Sequence, residues 1–362
     1  MGGKKPYFAV ILIQSMYVGL FMLSKAAFND GMKSYVFVFY RQAAGTIFLV
    51  PLAIILEGKN APPLSFVTFC KMFMLSLFGI TLSFNISGIA LVYTSATLVA
   101  AICNSLPVIT FAFAVLLRME TVTLRTAPGI AKVAGVMVCI AGVMTLAFYK
   151  GPYLKPLFHH PLFGFHLIQK HQVHASSGKG WIMGCFLMLI SQTFWSLWIV
   201  LQGRLLKSYP SKLIFTSLQC VLSAIQSFVV AIAVERNFYQ WKLGWNVRLL
   251  AVVYCGIVVT GVTFYLQAWV IEKKGPVFQT MSSPLALVIT IFCSSFLLGE
   301  MVSLGSVLGG ILLVGSLYSV LWGKSKEENM NDGGCLSGAA EQECKEVKEV
   351  VTTYCQPSSI VM

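Results

Sequence analysis

Six carboxylates stand ahead of residue 323: Asp30, Glu57, Glu120, Glu235, Glu272 and Glu300. Each falls at the edge of a long apolar run or in a connecting segment. An interior proton relay or a catalytic carboxylate pair needs such groups within the apolar runs, where an ionisable side chain is a functional candidate by default. None stands there, which argues against a membrane enzyme. Solute would then move down its gradient, or be coupled through a terminal glutamate beside a wet cavity. The five histidines, His159, His160, His166, His171 and His174, crowd into one segment. His171 and His174 have a weak metal-binding spacing, but Leu157-Phe158 and Leu162-Phe163 mark the segment as a membrane-surface loop. Seven of ten cysteines lie in or beside apolar runs, where cysteine behaves as a small hydrophobe. Cys335, Cys344 and Cys355 lie in the polar end, and no Cys-x-x-Cys spacing occurs, so neither a disulfide framework, a metal centre nor a cofactor is expected.

The chemistry that remains is polar and aromatic. The apolar runs carry Gln14, Tyr17, Asn85, Thr97, Asn104 and Ser105, and later Gln192, Trp195, Gln202, Gln219, Gln226, Gln279, Ser282 and Ser283. In hydrocarbon such groups must find a neighbouring helix, water or a solute, so each is either helix glue or part of a binding site. Asn104 with Pro107, and Ser282-Ser283 with Pro284, carry more weight. A proline within a span frees a main-chain carbonyl and kinks the helix, and a carbonyl beside Asn or Ser suits an amino or hydroxyl group. The two prolines are expected to be alike in kind without being equivalent, since Pro107 aligns with Leu287 in the repeat described below. Trp195 and Trp198 either stack an aromatic solute or serve ordinary packing or the interfacial aromatic belt. Lys25 and Arg41 are the cations nearest span interiors in the first half. They either snorkel to the headgroups or line an outer vestibule that attracts a carboxylate. Glu120 and Glu300 are candidate gate residues, Glu120 through Arg118, Arg125 or Lys132; the plainer reading is that each stabilises a helix N-terminus.

The elements that must position these groups span a membrane. The chain is 57% hydrophobic and 11% charged, with a mean hydropathy of +0.79, far from a soluble composition. Ten runs approach the roughly 20 residues a helix needs to cross the hydrocarbon core: 7–27, 35–56, 70–91, 95–117, 128–149, 181–202, 211–233, 248–268, 276–298 and 302–322. Backbone groups cannot go unpaired in lipid, and continuous runs without strict alternation specify helices. The sequence also repeats. Val108-Ile109-Thr110 recurs 180 positions on as Val288-Ile289-Thr290, and the same shift carries Glu120 to Glu300, Gly129 to Gly309 and Gly135 to Gly315. The expected organisation is a cytosolic N-terminus at 1–6, a five-helix repeat at 7–149, a loop at 150–180, a second five-helix repeat at 181–322 and a disordered cytosolic tail at 323–362. Five is odd, so the second copy enters the membrane from the opposite side: the expected fold is an all-α polytopic membrane protein of two inverted five-helix repeats. Lysines and arginines weigh toward a cytosolic N-terminus. The net charge of +13 is then a matter of topology and anionic lipid, with no nucleic-acid partner. Glycines on the fifth and tenth spans (Gly129, Gly135, Gly305, Gly309, Gly315) favour close helix contact and leave a homodimer open.

The stretch from Thr97 to Lys132, with Asn104-Ser105-Leu106-Pro107-Val108-Ile109-Thr110-Phe111, Glu120, Arg125 and Gly129-Ile130-Ala131-Lys132, resembles the EamA module of plant drug/metabolite transporters. Gln14, Lys25, Gly31-Met32, Tyr40-Arg41-Gln42, Pro51 and Glu57 extend that resemblance through the first half. Trp195-Ser196-Leu197-Trp198, Gln202, Tyr209-Pro210, Glu235-Arg236, Pro284-Leu285 and Gly299-Glu300 carry it through the second. The subgroup is the nodulin-like, walls-are-thin-related carriers. The resemblance implies a ten-helix carrier of small organic solutes, among them amino acids and auxin-like organic acids, with a broad-specificity exporter as the alternative. It implies the plasma membrane or the vacuolar membrane, with the lipid bilayer and a small solute as partners.

Overall fold

The computed structural model describes residues 5–58, 63–93, 102–120, 123, 125–149, 151–152, 178–209, 211–293 and 304–327, and among these the chain is all-helical. The helices are α1 (Lys5–Asn29), α2 (Ser34–Glu57), α3 (Phe66–Ser76), α4 (Ser83–Tyr93), α5 (Leu106–Leu116), α6 (Ala127–Phe148) and α7 (Gly178–Ser208). They continue with α8 (Lys212–Val234), α9 (Val247–Val253), α10 (Phe264–Lys274), α11 (Pro276–Met281), α12 (Ser283–Cys293) and α13 (Leu304–Glu327). Two short π-helical stretches, Leu77–Leu82 and Tyr254–Thr263, join α3 to α4 and α9 to α10 into continuous rods. Eight of the resulting stretches are long and apolar enough to cross a membrane. The fourth and ninth expected spans lie only partly among the described residues, where they are represented by α5 and by α11 with α12. Large apolar side chains such as Ile47, Ile55, Phe66, Met137 and Phe148 point outward, while Gln42, Ser76, Thr110, Ser196 and Gln267 are buried. Apolar outside and polar inside is the distribution that lipid, rather than water, selects.

Several helices outrun their apolar cores. α7 continues to Ser208 and α10 to Lys274, ending on Lys207 and on Lys273 with Lys274. Cations in a last turn complement the negative end of the helix dipole, so these extensions hold beyond the hydrocarbon. α13 likewise runs past the boundary expected at 322, as far as Glu327.

The packing is that of two copies exchanged about a two-fold axis. α1 of the first copy packs on α9, α10 and α12 of the second, and α7 of the second packs on α4 and α5 of the first. The equivalent helices α2 and α8 lie side by side. They run antiparallel: Glu57 at the end of α2 accepts from the Ser211 hydroxyl just ahead of α8, while Phe39 near the start of α2 meets Phe228 near the end of α8 at 5.1 Å. α6 and α13 are antiparallel as well. Ser319 Oγ donates to the Ala131 carbonyl at 2.9 Å near one end, and Leu146 packs on Gly309 near the other. Equivalent helices running in opposite directions place the two-fold axis in the membrane plane, which is the inverted arrangement. The small-residue faces serve this pairing at Gly135, Gly142 and Gly309, each in close contact across the two helices, whereas Gly315 faces open space.

The repeat extends into local distortions. The first π-helical stretch, moved by 180 positions, falls inside the second. A π turn widens the helix and leaves main-chain groups to be met by side chains. Asn85 Nδ2 donates to the Thr81 carbonyl at 2.7 Å, and Thr263 Oγ1 donates to the Val258 carbonyl at 3.1 Å. Helix breaks ahead of α5 and α12 also match. Ser105 (φ −79°, ψ −9°) and Ser282 (φ −78°, ψ −10°) share one backbone geometry. The Ser105 hydroxyl donates to the Ile102 carbonyl at 2.6 Å and that of Ser282 to the Gln279 carbonyl at 2.5 Å, each three residues back. Pro107 and Pro284 therefore sit in the first turn of a new helix, where a missing N–H costs nothing, rather than kinking an uninterrupted one. They are equivalent in this geometry, which places the break residues 177 positions apart instead of 180.

Candidate functional site

Between the two copies the buried polar and aromatic groups converge. α1 supplies Gln14, whose Nε2 donates to Ser282 Oγ at 2.7 Å, and Tyr17, whose hydroxyl donates to Gln267 Oε1 at 2.8 Å. From α7, Gln192 Nε2 reaches Cys103 Sγ at 3.3 Å, and Trp198 Nε1 donates to Gln219 Oε1 at 3.0 Å. Trp195 stacks on Trp198, ring centres 4.6 Å apart. It also meets Phe84 at 5.1 Å and Phe264 at 6.1 Å. Trp198 can reach this position because Gly79 has no side chain, where any Cβ would collide with the Trp198 Cβ and its ring. Phe84 and Phe264 are themselves 180 positions apart, one from each copy.

Arg41 stands at the centre of this cluster. It is seven residues into α2, about 10 Å along the axis, and only 4% exposed. Its Nε donates to Thr260 Oγ1 at 2.9 Å. The guanidinium lies 4.5 Å from the Phe84 ring centre and 5.8 Å from that of Phe264, the cation–π geometry that aromatic quadrupoles favour. Its Nη2 has no hydrogen-bond partner among the described residues, and the same holds for Gln267 Nε2 and for both polar atoms of the Gln42 side chain. Every described carboxylate side chain is engaged away from this cluster, Asp30 by Arg248, Glu57 by Ser211, Glu235 by the Asn237 main-chain N–H, Glu272 by Lys212, and Glu120 and Glu327 by lysines.

A second cluster closes the end where α5, α6 and α13 meet. Glu120 accepts from Lys132 Nζ at 3.3 Å and from Lys324, and Lys132 also pairs with Glu327. Beside it opens a cavity of about 350 Å³, lined by Met119, Glu120, Gly203, Lys207, Ile271 and Pro276 among others. The cavity is therefore at the mouth of the bundle, while the rings around Arg41 fill the centre.

A convergence of this kind between inverted copies is how solute carriers are built, and comparison with known proteins agrees. The model of the EamA-like transporter family matches residues 4–148 and 182–322, one match per repeat. The chain belongs to the EamA-like transporter family. A WAT1-related protein of Arabidopsis thaliana is 56% identical over 357 residues, 97% of this chain and 99% of its own. Another is 45% identical, covering 96% and 98%. An auxin-induced protein of Pinus taeda is 35% identical over 90% of this chain and 80% of its own. A protein of known crystal structure superposes with a TM-score of 0.59 at 15% identity, over 87% of this chain and 95% of its own, a likeness of fold alone. The protein is thus a multi-pass membrane transporter and not an enzyme.

Within this EamA-like bundle the expected site residues divide. Gln14 and Ser282 meet directly, as do Gln219 and Trp198, and Tyr17 meets Gln267. Asn104 is buried at the break before α5, with Pro107 beside it, and the Asn104 carbonyl faces Cys139 Sγ at 3.9 Å. Asn85 turns back onto its own helix. Gln279 is buried in α11, its Oε1 without a partner among the described residues, and Ser283 is half-buried at the start of α12. Thr97 and Glu300 lie outside the described residues, as does the histidine-rich segment from 153 to 177. Lys25 belongs to α1, but its side chain lies outside the described part. Two expectations are corrected. Arg41 neither snorkels nor lines an outer vestibule: it is buried among rings. Glu120 pairs with Lys132, as one reading allowed, and with Lys324, but with neither Arg118 nor Arg125. Arg118 takes the left-handed conformation (φ 54°) that closes α5, and both arginines are exposed. Sequence reading passed over Phe84, Thr260, Phe264 and Gln267. The 180-position match of Phe84 with Phe264 was the signal available.

Proposed function

We propose that this transporter carries small organic metabolites, foremost amino acids or auxin-like organic acids, by alternating access at the polar and aromatic centre between its repeats. The observation that carries the reading is that the central contacts join one copy to the other: Gln14 to Ser282, Tyr17 to Gln267, and Trp195 to Phe84. Rocking one copy against the other must remake these contacts, so a solute seated there is exposed first to one side and then to the other. The ion pairs of Glu120 form the gate on the cytosolic side, since the charge bias puts the N-terminus and the end of α13 in the cytosol. The plasma membrane is the host membrane of this reading.

The test is uptake and efflux of a labelled panel in oocytes, with neutral amino acids, glutamine and indole-3-acetate, at two external pH values. Wild type and Asn104→Ala are compared at matched surface expression. Flux that falls with the Asn104 change supports the reading and names the class through the solute that moves. Absence of flux for every compound, with the protein at the surface, rejects the amino-acid and auxin assignments.

A further inference from the structure

Two buried cations stand out among the described residues, Lys132 and Arg41. Lys132 is met by two carboxylates, Glu120 and Glu327. Arg41 is met by no carboxylate among the described residues. Charge inside the hydrocarbon is costly, and such residues ordinarily pair with one another or mark the path of a substrate. The rings of Phe84 and Phe264 offset part of that cost, and Thr260 takes one N–H, but Nη2 keeps an unmet donor. A second unmet donor, Gln267 Nε2, sits three residues after Phe264, on the same face of α10. Its Oε1 is already held by Tyr17, so the amide nitrogen is the end left over.

We propose that Arg41 is the anchor for the carboxylate of the transported solute, with Gln267 Nε2 as the second donor. The inference rests on the carrier reading above and deepens it. A carboxylate presents two oxygens to donors and supplies the missing counter-charge. The solute's flat apolar body lies against Trp195, which touches both phenylalanines. The cargo class is therefore monocarboxylates with a planar or compact apolar body. Amides and amines of the same shape are refused, since they leave the guanidinium without a counter-ion.

The test measures binding and flux with the full-length protein in lipid nanodiscs and proteoliposomes. The probes are indole-3-acetate and phenylacetate, against indole-3-acetamide, phenylacetamide and tryptamine. Wild type is expected to prefer each acid over its amide by about tenfold or more, the scale of a charge-assisted hydrogen bond, and to unfold at higher temperature with the acid bound. Arg41→Gln is expected to lose the preference. Arg41→Lys keeps the charge without the fork, so it retains the preference at weaker affinity. Should Arg41→Gln not fold, the preference of wild type and the behaviour of Arg41→Lys still decide. An undiminished preference in Arg41→Gln overturns the anchor while leaving the carrier reading intact. Equal handling of acid and amide by wild type also overturns it, and so does absence of flux for every probe; the carrier reading itself falls only if the amino-acid panel also shows no flux. Exchanging gluconate for chloride should leave acid affinity unchanged; displacement by chloride identifies a general anion site and overturns the assignment to a solute carboxylate.

Discussion

Lys132 and Arg41 are buried alike and treated oppositely. Near the mouth, the Lys132 ammonium is held between Glu120 and Glu327, and Glu120 in turn holds Lys324, so charge is cancelled within the protein. At the centre, the Arg41 guanidinium lies near two rings and against one hydroxyl, with no described carboxylate to cancel its charge. A pair that is complete within the chain can lock an end shut. A cation that is incomplete leaves an opening for a ligand. The difference separates the proposed gate from the proposed site by charge alone, and the cavity described above lies at the mouth.

The strongest way to break this comparison is to make the centre resemble the mouth. Thr260→Glu places a carboxylate where Arg41 now has a hydroxyl. Apparent affinity for an acidic solute should fall about 10- to 100-fold while thermal stability holds, the range of a charged hydrogen bond; concentration-dependent uptake checks it. The converse is to leave the mouth incomplete. Glu120→Gln removes the carboxylate shared by Lys132 and Lys324, and melting in detergent should show a loss of about 2–3 kcal/mol, below the full cost of an isolated buried charge because Glu327 remains. Trp195→Ala strips the ring that bridges Phe84 and Phe264, and flux at matched surface expression should drop about 3- to 10-fold. Ser105→Ala and Ser282→Ala remove the same hydroxyl from equivalent breaks. Ser105→Ala should cost about 1 kcal/mol and Ser282→Ala about 2 kcal/mol, because Ser282 Oγ also accepts from Gln14 Nε2. In a Gln14→Leu background the two costs should become alike in thermal unfolding, and a large inequality there would deny the equivalence of the two breaks. Smallest is Asp30→Asn, which severs an exposed pair with Arg248. Stability should change by less than about 1 kcal/mol, and flux not at all.

Much of the plan was legible in residue order. Apolar runs marked the spans because a helix must cover the hydrocarbon and satisfy its own backbone within it. The glutamate and glycine matches marked the repeat, and an odd helix number marked its inversion. Ser105-Leu106-Pro107 and Ser282-Ser283-Pro284 read as disturbed helix, but their equivalence was hidden. The intervening segment is three residues shorter in the second copy, which shifts the break residues away from the 180-position register that the flanking residues keep.

The amino-acid order by itself determined the number and direction of the helices, because hydropathy and parity are properties of the chain alone. It also placed Arg41 two turns into α2. What only the tertiary structure decided is which way that side chain meets its surroundings. A residue on a membrane helix can face lipid, a neighbour or the centre. The choice depends on how α2 is turned against α8 and against the π-helical stretch at Thr260. That rotation comes from the close approach of Gly45 and Gly256 to their neighbours, a packing that no single helix contains.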